Sequence, residues 1–108
     1  MKAPKYRNIK TTVDGITFDS AKEARRWAQL CLLQRADEIS HLERQKRIPM
    51  IVNGMKVCDW IPDFQYWDVA RCQLVVEDVK SPATKKLPAY RIKVKLAKAL
   101  HGIEVLET

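Results

Sequence analysis

Two β-rich runs, Val57 to Tyr66 and Gln73 to Val79, are separated by the short polar connection Asp68-Val69-Ala70-Arg71. So short a link joins antiparallel neighbours, and because side chains alternate along a strand, its length decides which residues share a face. An even-length loop sets opposite one another residues whose numbers add to an odd value. That places Asp63 on the face of Asp78 and Lys80 and turns Glu77 to the other; an odd-length loop or a bulge would set Asp63 with Glu77 instead.

The other elements read off around this pair. Thr11-Thr12-Val13 and Ile16-Thr17-Phe18 flank Asp14-Gly15, a hairpin signal. Ser20-Ala21-Lys22-Glu23 has the S-x-x-E pattern of a capping box, and Ala24, Trp27, Ala28, Cys31 and Arg35 follow at helical spacing, with Leu30 and Leu33 widening the apolar face. This predicts a helix over about residues 20–36. The stretch 39–52 turns β-like toward its end, where Ile48, Met50 and Val52 alternate before a second hairpin dipeptide, Asn53-Gly54; Pro49 marks an edge or irregular strand. With the two runs above it makes a three-stranded antiparallel meander. Pro88 opens a helix through about Leu100, Gly102 stops it, and Ile103-Glu104-Val105-Leu106 is a short final strand. The expectation is an α/β fold of the mixed α+β kind, in the order hairpin, α, β, β, β, α, β. It forms one domain over residues 1–108, with residues 1–10 a basic, flexible start.

Composition excludes several classes. With 46% apolar and 31% charged residues, three Gly and five Pro, the chain is that of a globular protein rather than a disordered one. No uncharged run approaches the ~18 residues that cross a bilayer, and no apolar stretch follows the lysine-rich start as in a signal peptide, so a cytoplasmic location is expected. Three cysteines without a C-x-x-C pair support neither a disulfide framework nor a zinc cluster, and His41 and His101 lack ligand-type spacing. Twenty Lys and Arg against thirteen Asp and Glu give +7, and Val79 to Ile103 holds no acid while carrying Lys80, Lys85, Lys86, Arg91, Lys93, Lys95 and Lys98. Such a block is either a footprint for a polyanion or a solvated helix face.

Two carboxylates and a lysine on adjacent strands suit phosphodiester hydrolysis. Mg²⁺ takes oxygen ligands, keeps several waters and is usually held by one or two carboxylates with substrate phosphate, which Asp63, Asp78 and the Val79 carbonyl can supply. Lys80 beside them offers a positive charge to the phosphate or the attacking water. The plainer alternative is an Asp–Lys salt bridge on a half-exposed strand.

Pro62-Asp63 followed by Asp78-Val79-Lys80, in an α-β-β-β-α-β order, resembles the PD-(D/E)xK nuclease superfamily, and the chain from Phe18 to Glu107 fits that layout. Phe18-Asp19-Ser20-Ala21-Lys22-Glu23-Ala24, Leu42-Glu43-Arg44-Gln45, Ile61-Pro62-Asp63-Phe64 and Val76-Glu77-Asp78-Val79-Lys80 look like a family of small phage-encoded members, similar to phage Holliday-junction resolvases of the endonuclease I type. The resemblance implies a restriction-endonuclease-like core and a Mg²⁺-dependent endonuclease, with Mn²⁺ substituting, selective for branched DNA in phage recombination or replication. It makes Glu23 a third acid from the first helix, although the capping box also explains that residue. Many relatives have glutamate where Asp78 stands, which leaves Glu77 as a substitute ligand if the strand bulges. Lys93 or Tyr90 of the second helix would face the site, and Glu43 is left unassigned.

Lys85, Lys86, Arg91, Lys93 and Lys95 would hold DNA phosphates without reading sequence. Trp27 falls on the apolar stripe of the first helix and reads as core, while Trp60 and Trp67, at strand ends, read as more open. Two symmetric cuts at a four-way junction require a homodimer of a chain with one site. The expected location becomes the host-cell cytoplasm, with no membrane and no small-molecule cofactor involved. The alternatives are a nucleic-acid-binding protein that keeps the nuclease fold without turnover, and a small protein-binding factor whose carboxylates are surface ion pairs.

Overall fold

A computed structural model describes residues 10–108, so nearly all of the basic start expected at residues 1–10 lies outside the described residues. Strands β1 (Thr11–Val13) and β2 (Ile16–Phe18) form the expected hairpin, with Asp14 and Gly15 at φ +50° and +77°, the two positive angles that a type I′ turn requires. Helix α1 (Ala21–Arg35) starts where Ser20 accepts a hydrogen bond from the Glu23 N–H (3.1 Å).

The following strands differ from the expected meander. β3 (Ile39–Arg44) ends at Gln45, whose φ is +49°, and β4 (Ile48–Val52) pairs only with β5 (Met55–Trp60) across Asn53-Gly54. The run from Val57 to Tyr66 is not one strand. It breaks at Ile61-Pro62-Asp63, where buried Pro62 has no N–H to give a ladder, and resumes as β6 (Phe64–Asp68). The antiparallel meander is therefore β3-β6-β7, with β7 at Gln73–Asp78 and the β4–β5 hairpin inserted between its first two strands.

The connection between β6 and β7 is Val69 to Cys72, one residue later than expected but still even in length. The expected parity holds: Phe64 faces Glu77, Gln65 faces Val76 and Tyr66 faces Val75.

A one-turn helix α2 (Pro82–Lys85), capped by Ser81, precedes α3 (Pro88–His101), which Gly102 ends at φ +67°. Strand β8 (Val105–Glu107) then lies parallel to β7, completing a mixed four-stranded sheet in the order β3-β6-β7-β8. Such a pair needs a crossover, and α3 provides it.

The fold is mixed α+β, and its sheet buries both faces. On one side Phe18, Ala24, Leu30, Ile39, Phe64 and Tyr66 form a cluster under α1, with Trp27 stacked 5.9 Å from Phe64 as a core residue. On the other, Met50, Trp60, Val76 and Ala97 join the sheet to the β4–β5 hairpin and α3. Trp60 is buried there rather than open, because it packs with Met50, Val76 and Ala97 between the hairpin, the sheet and α3; Trp67 stays 40% exposed.

Candidate functional site

Asp63 sits one residue before β6 and Asp78 ends β7, so the register that pairs Phe64 with Glu77 brings these two together. Backbone N–H groups hold both carboxylates. The Asp63 N–H donates to Asp78 Oδ1 (3.0 Å), the Val79 N–H donates to Asp63 Oδ2 (2.7 Å), and the Trp60 indole N–H donates to Asp78 Oδ2 (3.2 Å). The Lys80 ammonium lies 3.9 Å from both Asp63 Oδ2 and Asp78 Oδ1. Asp63, Asp78 and Lys80 thus converge as the sequence pattern implies.

These acids are held in a desolvated place, which disfavours their charge. Burial pushes the Asp78 carboxyl up to about 6 against the pull of Lys80, with Asp63 adding to the rise. Burial also raises Asp63, again opposed by Lys80 and by the Val79 N–H. Glu23, in the first turn of α1, is buried as well; burial and then the Asp63 and Asp19 charges raise it, and its Oε1 has no hydrogen-bond partner. Glu23, Asp63, Val79 and Lys80 line a hollow of about 220 Å³, with Asp19, Ser20, Lys22, Ser81 and Thr84 around them.

An orphaned carboxylate oxygen of Glu23 near Asp63, itself joined to Asp78 and like it reluctant to ionise, is the chemistry that a hard divalent cation relieves. The donors fit Mg²⁺ in kind. Among the described residues, though, no three His, Cys, Asp or Glu side chains stand close enough to hold a metal ion as they are. Two carboxylates, with water and a phosphate oxygen filling the other positions, is the usual pattern for this ion.

Glu77 takes no part, which corrects its place as a substitute ligand. The ladder between β6 and β7 runs without a bulge, so Glu77 points under α1, where it is fully buried. Arg26 Nε and Nη2 donate to its two oxygens at 2.8 Å each, and the Tyr66 hydroxyl donates to Oε2.

Of the two α3 candidates, Tyr90 has a buried hydroxyl with no partner, and burial followed by the Asp78 charge holds its proton more tightly than usual. Lys93 is half-buried. Glu43 is paired to Lys46 (3.4 Å). Among the basic residues, Lys86 and Lys95 are exposed and Lys85 half-buried, without ion-pair partners among the described residues. Arg91 is tied to Glu107 at 3.0 Å, so its charge is not free as expected.

Sequence reasoning missed two neighbours of the site. Trp60 is a donor to Asp78, and only its position just before Pro62-Asp63 hinted at this. Arg44, opposite Phe64 in the β3–β6 ladder, lays its guanidinium 4.6 Å over the Phe18 ring and pulls down both Glu23 and Asp63.

A family model matches residues 3–101, nearly the whole chain. The chain belongs to DUF1064, a protein family of unknown function. No curated protein and no solved structure matches it. The DUF1064 match takes in Glu23, Asp63, Asp78, Lys80 and all of α3, while β8 lies beyond it.

Among the described residues, no helix is long and apolar enough to cross a membrane.

Proposed function

We propose that this chain is a metal-dependent DNA endonuclease with a restriction-endonuclease-like core. The observation that carries the reading is the meeting of Asp63, Asp78 and Lys80, with the Glu23 carboxylate, one oxygen of it unpartnered, on the Asp63 side. Asp63 and Asp78 would hold Mg²⁺ or Mn²⁺, with the Val79 carbonyl as a further oxygen donor, and Glu23 would join them only by moving closer. When bound, the ion supplies Lewis acidity and an activated water.

The chain's own groups do the rest. The Val79, Asp63 and Trp60 N–H groups fix the carboxylates, so that little reorganisation is needed when the phosphate arrives. The Lys80 ammonium, 28% exposed in its side chain, sets a positive charge at the mouth of the site where charge grows on the phosphate. Lys85, Lys86, Lys93 and Lys95 hold the DNA backbone, and Arg91 joins them only by leaving Glu107. The substrate this reading takes is branched DNA of the four-way junction kind, held by its backbone, which a pair of chains would cut symmetrically.

Incubation with four-way junction, flap, single-stranded and linear duplex DNA in Mg²⁺, with product mapping, tests this. Symmetric nicks near the junction are expected, lost in Asp78→Asn while DNA binding at low salt persists. If no DNA is cut in Mg²⁺ or Mn²⁺, the reading falls to a nucleic-acid-binding protein without turnover, which the absence of a ready three-acid cluster among the described residues favours.

A further inference from the structure

Seven consecutive residues, Ile51 to Val57, stand exposed at the end of the β4–β5 hairpin. Four of them are apolar: Ile51, Val52, Met55 and Val57, with Met55 72% and Val57 57% accessible. Exposed apolar side chains gathered at the tip of a ribbon, where polar residues are the rule, mark a contact made with something else.

The base of the ribbon is firmly rooted. Met50 and Trp60 lie in the core with Ala97, His101 Nε2 donates to the Pro49 carbonyl (3.0 Å), and Trp60 reaches on to Asp78. The root of the hairpin therefore adjoins the strand end that carries Asp78.

Charge decides what the tip meets. Residues 46–60 carry three cations, Lys46, Arg47 and Lys56, against one acid, Asp59, which Arg47 and Lys56 share at 4.0 and 3.0 Å; Lys46 is paired to Glu43 at 3.4 Å, so each cation meets a phosphate by exchanging its carboxylate for it. A second copy of this +7 chain would set cations against cations here. A polyanion with an apolar interior suits both features, and apolar side chains flanked by Lys and Arg are what proteins insert between base steps.

We propose that the β4–β5 hairpin is a wedge: Met55 and Val57 enter the base stack of bound DNA while Lys46, Arg47 and Lys56 hold the adjoining phosphates. The proposal rests on the nuclease reading only in taking DNA as the ligand. From Trp60 to Met55 is five residues of strand, about 17 Å at roughly 3.3 Å per residue. With the ribbon laid along the duplex, the wedge enters about five base steps from the ribbon's root at about 3.4 Å per step.

Four-way junction and duplex DNA carrying 2-aminopurine at successive positions, bound with Ca²⁺ in place of Mg²⁺, reads unstacking without cutting. One or two positions are expected to brighten several-fold with the parent protein. Met55→Asp with Val57→Asp should abolish the signal and weaken binding about tenfold or more, whereas Met55→Leu should keep both. These side chains are exposed, so thermal melts should stay unchanged; Met55→Ser, without new charge, should dim the signal in the same direction.

A parent protein that brightens no position, or a double variant as bright as the parent, overturns the wedge. So does hairpin-dependent binding to anionic vesicles with no unstacking, or a dimer that the double substitution dissolves. Unstacking that persists when no DNA is cut in Mg²⁺ sinks the nuclease reading and leaves the wedge standing; cutting without unstacking does the reverse.

Discussion

Asp78 is almost completely buried, and burial lifts its carboxyl from the ordinary 3.8 to about 6. A folded-state value above the unfolded one means that the protonated form is the better folded one. Its contribution to stability is full below about pH 4 and lost as pH rises through about 6, amounting to about 3 kcal/mol at 1.4 kcal/mol per unit. In metal-free buffer, the stability of the parent should therefore fall relative to Asp78→Asn between pH 4 and 7.5, whatever the offset from the lost hydrogen bond. Parallel melting curves across that range would refute this. Above pH 7, Mg²⁺ at ten times its dissociation constant should restore about 1.4 kcal/mol to the parent and nothing to Asp78→Asn, read as a shift in melting temperature. The pairing of Asp63 with Asp78 was legible because side-chain alternation and an even loop are local facts. The Trp60 and Arg44 contacts were not, since they depend on where a separate hairpin and a neighbouring strand fold in three dimensions.

At the scale of elements, β7 turns alternate residues to two different layers: Val76 and Asp78 toward α3 and the hairpin, Val75 and Glu77 toward α1. Arg26 thereby ties α1 to the same strand end that carries Asp78. Removing only the arginine leaves a buried carboxylate with the Tyr66 hydroxyl alone, a change that costs about 3 kcal/mol or more, whereas removing both charges costs far less. Urea midpoints should thus fall sharply in Arg26→Met and recover in the Arg26→Met, Glu77→Leu pair; equal losses in both would show that the ion pair does not hold the layers together. Hairpin β1–β2, α1 and α3 were readable because their turn dipeptide, cap and stop signals are local. The strand from 57 to 66 was misread because apolar periodicity does not say which sheet a strand joins, and Pro62 was the one sign of the break. Helix α2 escaped notice because four residues show no period, although Ser81-Pro82 is a helix start.

Across the whole molecule, charge is sorted rather than spread. Setting aside the buried Glu23, Asp63 and Asp78 leaves ten acids against twenty bases, and the acid-free stretch from Val79 to Ile103 follows directly on the carboxylate site. Within that stretch the cations are unequal: Arg91 is held by Glu107 and Lys98 by Glu104, while Lys85, Lys86, Lys93 and Lys95 have no ion-pair partner among the described residues. Only an unpaired cation adds to phosphate neutralisation at no cost from a lost partner. These four contacts alone contribute about −3.6 to the slope of the logarithm of the DNA association constant against the logarithm of salt concentration, at about −0.9 per phosphate on duplex DNA. Lys86→Ala should flatten this slope by about 0.9 and weaken all sequences alike, because a phosphate contact carries no base information. Arg91→Ala should flatten it by much less, since it frees Glu107 to repel the backbone while removing a charge already neutralised. Binding isotherms from 50 to 300 mM salt on one junction and two unrelated duplexes measure all three slopes; equal effects of the two substitutions would mean that ion pairing on α3 does not set which cations meet the DNA.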